Sequence, residues 1–254
     1  APMLSPWLHV LVPDLFGAGD SRPNPDADLT LAGQTAAIGE LLWSKGIERF
    51  AAVGHGFGGG IAQLRALEAG AEALVLIDTV AFGEWPSETV REAQERSPRS
   101  GPVFAEAVVR TSFDLGMGHR PALADEELEE YLRSVRDEEG SARFFRFVRA
   151  LDGSGLDGRE DDLARLDIPV LILWGEEDPF LPVELGERLA DLFPRASAAV
   201  LPGCRHFLPE DAPDTVAPLV FQFLRSQYLG TPHEHGSTGP VGIELGLGPL
   251  EGRA

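Results

Sequence analysis

The sequence predicts an α/β fold with a mostly parallel sheet flanked by helices. Three observations carry this. Short apolar runs alternate with helical patterns along much of the chain. The runs are continuously apolar, as strands covered on both faces are. One long stretch with helical patterns alone divides the alternation in two.

The expected strands are LHVLV at Leu8–Val12, FAAV at Phe50–Val53, LVLI at Leu74–Ile77, VLIL at Val170–Leu173 and AAVL at Ala198–Leu201. Each is short and ends near Pro, Gly or Asp. Helices are expected over Leu29–Lys45, where Leu31, Thr35, Ile38 and Leu42 share one face, and over Gly58–Glu68, Leu185–Leu192 and Thr215–Leu229. Alternation of this kind argues for a parallel sheet with crossover helices.

Between Phe82 and Asp167 the only patterns are helical: Ser87–Arg96, Val103–Phe113, Asp125–Val135 and Ser141–Leu151. An all-helical insertion between two strands predicts a cap, because ligands of such sheets bind beyond the carboxyl ends of the strands. The expected organisation is a core in two parts, 1–82 and 168–229, a helical cap at 83–167 and a Gly/Pro-rich tail at 230–254. Trp85, Phe104, Phe113, Phe144, Phe145 and Phe147 are candidates for an apolar pocket wall, and equally for the packing of the cap itself.

Composition narrows the function classes. A chain of 254 residues with 43% hydrophobic residues can bury a full core. Its formal net charge of −20, with Lys45 as the only lysine, repels phosphate backbones and anionic lipid. Nucleic-acid and membrane partners are therefore not expected, and a small molecule is. The sequence has no apolar run of about 18 residues or more, and Ala1–Pro13 lacks the pattern of a secretory leader. Cys204 is the single cysteine, so no intrachain disulfide forms and a reducing, cytoplasmic setting is expected. His233 and His235 stand in the tail without neighbouring ligand residues, and no metal site is expected.

The chemistry centres on AAVGHGFGGG, Ala51–Gly60. Gly54-His55-Gly56-Phe57-Gly58 matches G-x-S-x-G except at its third position. That motif serves a strand-to-helix turn so tight that side chains beside it would clash. A strand precedes it here, and an apolar helix bearing Ile61, Leu64 and Leu67 follows. The helix N-terminus would aim backbone N–H groups at the site. The turn lacks the Gly-Lys-Ser/Thr of a P-loop and the G-x-G-x-x-G of a dinucleotide site. Taken alone it reads equally as a nucleophile turn or as a glycine turn that binds phosphate or merely packs.

Two later segments add to it. IPVLILWGEEDPFLP, Ile168–Pro182, is a strand ending in a turn that carries Asp178. LPGCRHFLPEDAPDTVAPLVFQFL, Leu201–Leu224, is a strand end, a loop carrying His206 and a helix. Near the start, DLFGAGDS places Asp14, Gly17, Gly19 and Ser21 in a D-x-x-G-x-G-x-S turn. Turn, Asp and His in this order resemble the α/β-hydrolase family, in its cap-bearing group of esterases, carbon–carbon bond hydrolases, dehalogenases and epoxide hydrolases.

The resemblance implies an α/β-hydrolase fold and a small organic substrate, with no cofactor and no metal. It makes His206 the general base, Asp178 the group that orients its imidazole, and the Phe57 backbone N–H an oxyanion-hole donor. Gly56 then stands at the nucleophile position with no side chain, so covalent catalysis is not expected from it. The Phe57-Gly58-Gly59 context is closer to serine enzymes than to aspartate ones, which favours ester or carbon–carbon hydrolysis over dehalogenation. The resemblance also implies earlier strands and an HG-type oxyanion loop ahead of Leu8, which this sequence does not contain; HGST at His235–Thr238 lies in the tail. Three readings stay open: a hydrolase whose nucleophile is lost, an enzyme using His206 and Asp178 as a base without a nucleophile, and a binding protein on the same scaffold.

Overall fold

A computed structural model describes residues 2–68, 70–83, 85–86, 88–96, 101–118, 123–153 and 155–228. Four parallel strands form one sheet in the order β1 (Phe50–Gly56), β2 (Ala71–Thr79), β3 (Val170–Gly175) and β4 (Ala196–Leu201). Helices α1 (Leu31–Ser44), α2 (Phe57–Glu68), α8 (Val183–Leu192), the short α9 (Leu208–Asp211) and α10 (Pro213–Tyr228) surround it.

Alternation within the apolar strands fixes which helices cover which face. Leu74 and Leu76 of β2 and Val170, Ile172 and Trp174 of β3 point to one side, onto Ile61 and Leu64 of α2 and Leu185 and Leu189 of α8. Ala73, Val75, Ile77, Leu171 and Leu173 point to the other, onto Val216, Val220, Phe223 and Leu224 of α10. The central strands are thus buried on both sides, which is why they read as unbroken apolar runs.

Between β2 and β3 lie α3 (Glu88–Arg96), α4 (Pro102–Gly116), α5 (Asp125–Arg133), α6 (Glu138–Ala150) and the short α7 (Glu160–Leu163). These helices have a core of their own, built on Ala105, Leu132, Val135 and Phe145 with Phe104 and Phe144 against it. Packing within the insertion therefore accounts for Phe104, Phe144 and Phe145. Phe113 packs with Met117 and Leu123 of the insertion and, like Phe147, also reaches out of it, as described below.

One expectation fails. Leu8–Val12 forms no strand among the described residues. Leu4 and Leu8 lie against the α10 side of the core, whereas Leu11 and Val12 are 42% and 72% exposed. A strand needs a hydrogen-bonded neighbour, and β1 pairs only with β2. The apolar run has no such neighbour here, so its pattern does not become a strand. The tail, with His233, His235 and HGST at His235–Thr238, lies outside the described residues.

Candidate active site

The turn between β1 and α2 is where the glycines are used. A Cβ on Gly54 would stand 2.3 Å from the Gly58 carbonyl oxygen, and one on Gly59 would stand 1.9 Å from Thr79 Oγ1. Both positions require glycine because β1, α2 and the end of β2 meet there. Gly58 carries no such demand, since a Cβ there meets nothing within 4 Å. The close approach expected of Gly58 is therefore made through its backbone, which presses on Gly54.

Gly56 lies at φ +55°, in the left-handed region. A residue with a side chain costs about 1–3 kcal/mol there and persists only where its surroundings hold it. They do: the Gly56 carbonyl accepts from Val80 N at 3.2 Å and from Thr79 Oγ1 at 3.2 Å. Gln63 braces the same corner, donating to Val80 O at 2.9 Å.

Asp178 and His206 come to this turn from the other two strands. Asp178 follows β3, and its side chain is fully buried. Its Oδ1 accepts from Phe180 N at 2.8 Å and from Leu181 N at 3.0 Å. Its Oδ2 accepts from His206 Nδ1 at 2.8 Å. A carboxylate at that nitrogen assigns the proton to Nδ1 and leaves the Nε2 lone pair free to act as a base. Nε2 faces Gly56: a Cβ there would stand 3.4 Å from Nε2 and 3.7 Å from Cε1. Phe57 opens α2 next to this point, so its backbone N–H belongs to the helix turn that lacks intrahelical acceptors.

Several residues that hold the site carried no motif. His55 Nε2 lies 2.8 Å from the backbone carbonyl of His206. A carbonyl can only accept, so His55 donates. Burial, then the neighbouring His206, lowers its pKa to about 3, and its ring stays neutral. Asp78, fully buried at φ +41°, accepts from Gly175 N at 2.8 Å and so anchors the turn that leads to Asp178. Burial pushes its carboxyl well above the ordinary range. Asp211 Oδ2 accepts from Arg205 N at 3.1 Å in the His206 loop and from Gly118 N at 2.9 Å just past α4.

The helical insertion touches the site from two sides. Phe113 packs on Phe207, the neighbour of His206, with ring centroids 4.5 Å apart, and Phe207 N donates to Gly116 O at 3.0 Å. Tyr131 donates to Glu210 at 2.6 Å. On the other side Phe147 meets Phe57 edge-on at 5.8 Å. Nearby, the Asp14–Ser21 turn is closed by Asp20 N donating to Asp14 Oδ2 at 2.8 Å, and Gln34 bonds both backbone groups of Phe16. Among the described residues no group of three or more His, Cys, Asp or Glu side chains could hold a metal.

Comparison with known proteins decides the family. The profile described as "Alpha/beta hydrolase family" matches residues 1–219. The chain belongs to the alpha/beta hydrolase family.

Among its alpha/beta hydrolase relatives, haloalkane dehalogenase 2 of Mycobacterium tuberculosis is 27% identical over 85% of this chain and 78% of that protein. The uncharacterized hydrolase YugF of Bacillus subtilis is 31% identical over 112 residues, which span 44% of this chain and 40% of that one. The structure of a thermophilic esterase from Thermogutta terrifontis superposes with a TM-score of 0.70 at 25% identity, covering 88% of this chain and 82% of the esterase. No helix of the described residues is long and apolar enough to cross a membrane.

Proposed function

We propose that this chain is a hydrolase scaffold for a small organic substrate, an ester or a carbon–carbon bond substrate, in which Gly56 occupies the nucleophile position. Covalent hydrolysis by the chain as written is then absent or strongly impaired. The observation that carries this is the 3.4 Å between His206 Nε2 and the place of a Cβ on Gly56. A hydroxyl one bond beyond that Cβ could reach hydrogen-bond distance of a base already oriented by Asp178, as a nucleophile and its base require. Phe57 N–H would receive the developing oxyanion, and residues 83–167 would act as the cap.

The test restores the missing part. Gly56→Ser, assayed on short 4-nitrophenyl esters, should exceed the parent by a factor on the order of 10³ or more. Equal rates would remove the reading. Gly56→Asp assayed on haloalkanes is the second arm. It separates a lost serine, favoured by Phe57-Gly58-Gly59, from a lost aspartate, favoured by the haloalkane dehalogenase relative.

The intact His206–Asp178 pair favours a second reading, in which the pair serves as a base without a protein nucleophile. His206→Ala should then abolish a turnover that the parent already shows. A cytoplasmic setting fits the single cysteine, Cys204, which is buried and whose thiol burial pushes up to about 11.

A further inference from the structure

We infer that the last turn of α4 is a positioning segment for the base: Gly116 holds Phe207, and through it keeps the imidazole of His206 in line with Asp178. This rests on the reading of His206 as the general base. It gives the helical insertion a second task, aligning the base as well as covering the site.

The insertion grips the chain on both sides of His206. Arg205 Nη1 donates to Leu115 O at 3.2 Å, and Phe207 N donates to Gly116 O at 3.0 Å. These carbonyls are among the last four of α4, which have no donor within the helix. The base loop supplies the donors they lack. The core holds the same loop by its carbonyls: Glu177 N donates to Cys204 O at 3.0 Å, and His55 donates to His206 O at 2.8 Å. Core and insertion thus each bond a different part of the same short run.

Close approach explains the glycines of this turn. Neither Gly116 nor Gly118 has a positive φ, so backbone conformation does not call for glycine at either position. Contact does. A Cβ on Gly116 would stand 2.5 Å and 2.6 Å from Phe207 Cδ2 and Cε2, and 3.1 Å from Phe180 Cε2. A Cβ on Gly118 would stand 2.4 Å from Gly203 O, at the start of the same loop. Phe207 and Phe180 are the two phenyl rings that meet the His206 imidazole edge-on, with centroids 5.2 Å and 5.1 Å from it. The α4 backbone at Gly116 therefore lies against both rings that hold the base.

A methyl group at position 116 has to push Phe207, Phe180 or α4 itself aside. Movement of either ring takes support from the imidazole, and Nδ1 is drawn off its 2.8 Å bond to Asp178. A base displaced by about 1 Å costs about 10²-fold in rate. Phe57 and Phe147 meet on the other side of the site and are untouched. The loss therefore falls on kcat rather than on KM.

The experiment follows the Nδ1–H proton of His206 by NMR in the chain with its own Gly56, assigned by its loss in His206→Ala. Gly116→Ala should shift or broaden this resonance while circular dichroism shows a folded protein. Combining Gly116→Ala with Phe207→Leu gives the methyl room and should return the resonance towards its parent position. Phe145→Leu alters the insertion's own core. It should lower the melting temperature and leave the resonance in place. In a Gly56→Ser background, Gly116→Ala should lower kcat on 4-nitrophenyl acetate by about 10²-fold with KM unchanged. A folded Gly116→Ala protein with an unmoved resonance overturns the inference, and so does an equal shift in Phe145→Leu. If Gly116→Ala alone does not fold, the double variant decides: a resonance near the parent position supports the inference, and a folded protein without it overturns it. The NMR arm needs no nucleophile. An inactive Gly56→Ser protein therefore removes the proposed function and leaves this inference to stand or fall on the resonance.

Discussion

His55 donates from Nε2 to the backbone carbonyl of His206 across 2.8 Å, so one histidine holds the main chain of the other. The two rings lie 4.8 Å apart. Two protonated rings at that distance would repel, and burial alone already penalises the charged form of His55.

An acid-sensitive fold follows. The pKa of His55 is about 3 in the folded chain, below the 6.5 of a free histidine, so the unfolded chain binds the extra proton. The stability contributed by neutral His55 is present above about pH 6.5 and is lost as pH falls towards about 3, by up to about 1.4 kcal/mol per pH unit. His55→Gln keeps an N–H donor and cannot titrate. Thermal melts of the two proteins between pH 4 and 7 should converge at low pH as the parent falls faster. Parallel curves would show that His55 does not set the slope.

Asp211 ties the His206 loop to the end of α4 through a single carboxylate oxygen. Asp211→Ala leaves the Arg205 and Gly118 N–H groups without that acceptor, at about 1–3 kcal/mol for each donor left unsatisfied. Asp211→Asn keeps an acceptor and should recover most of the loss. The His206 imidazole resonances, followed by NMR at fixed pH, should move in the Ala variant and return in the Asn variant. An Ala variant that melts with the parent and leaves His206 unmoved would show that the loop is held by other contacts.

The glycines of the turn separate into two kinds. Gly59→Ala brings a Cβ to 1.9 Å from Thr79 Oγ1, and Thr79 is fully buried at the end of β2. Overpacking of this sort costs about 1–3 kcal/mol or more. Thr79→Gly in the same chain should relieve part of it. Gly58→Ala meets nothing and gains about 1 kcal/mol of helix propensity. Urea titrations should therefore shift in opposite directions for Gly58→Ala and Gly59→Ala; matching shifts would contradict the packing described here.

What the sequence made legible was whatever sits on an element with a strong pattern. Val170–Leu173 and Leu74–Ile77 are buried on both faces, so their apolar runs could only be central strands. Gly56, Asp178 and His206 could be gathered because each ends or follows a strand, and parallel strands deliver those ends to one side. Leu8–Val12 misled because an apolar run reports a wish for burial, and only a paired neighbour turns that into a strand. His55, Asp78 and Asp211 escaped notice for a different reason. Each acts on a backbone group of a residue distant in sequence, and no spacing in the chain encodes that contact. Asp78 alone left a faint trace, as a carboxylate closing the apolar run LVLID.

Asp78 also supplies the last prediction. Its backbone turns out of the ladder at φ +41°, and its side chain takes over as acceptor for Gly175 N at 2.8 Å. Oδ2 has no hydrogen-bond partner among the described residues. Burial, with Asp178 and Asp211 nearby, raises the folded pKa well above 3.8. The folded chain therefore holds a proton that the unfolded chain releases. The stability associated with protonated Asp78 is fully present below about pH 4 and is lost as pH rises through the raised folded value. Asp78→Asn keeps the acceptor for Gly175 and removes the titration. The melting temperature of Asp78→Asn should gain on the parent as pH rises above about 4, the opposite trend to His55→Gln. Asp78→Ala, which loses the bond to Gly175, should be destabilised across the whole range. A fixed offset between Asn variant and parent at every pH would mean that Asp78 carries the same protonation state in the folded and unfolded chain, and the anchoring of the Asp178 turn would then rest on hydrogen-bond geometry alone.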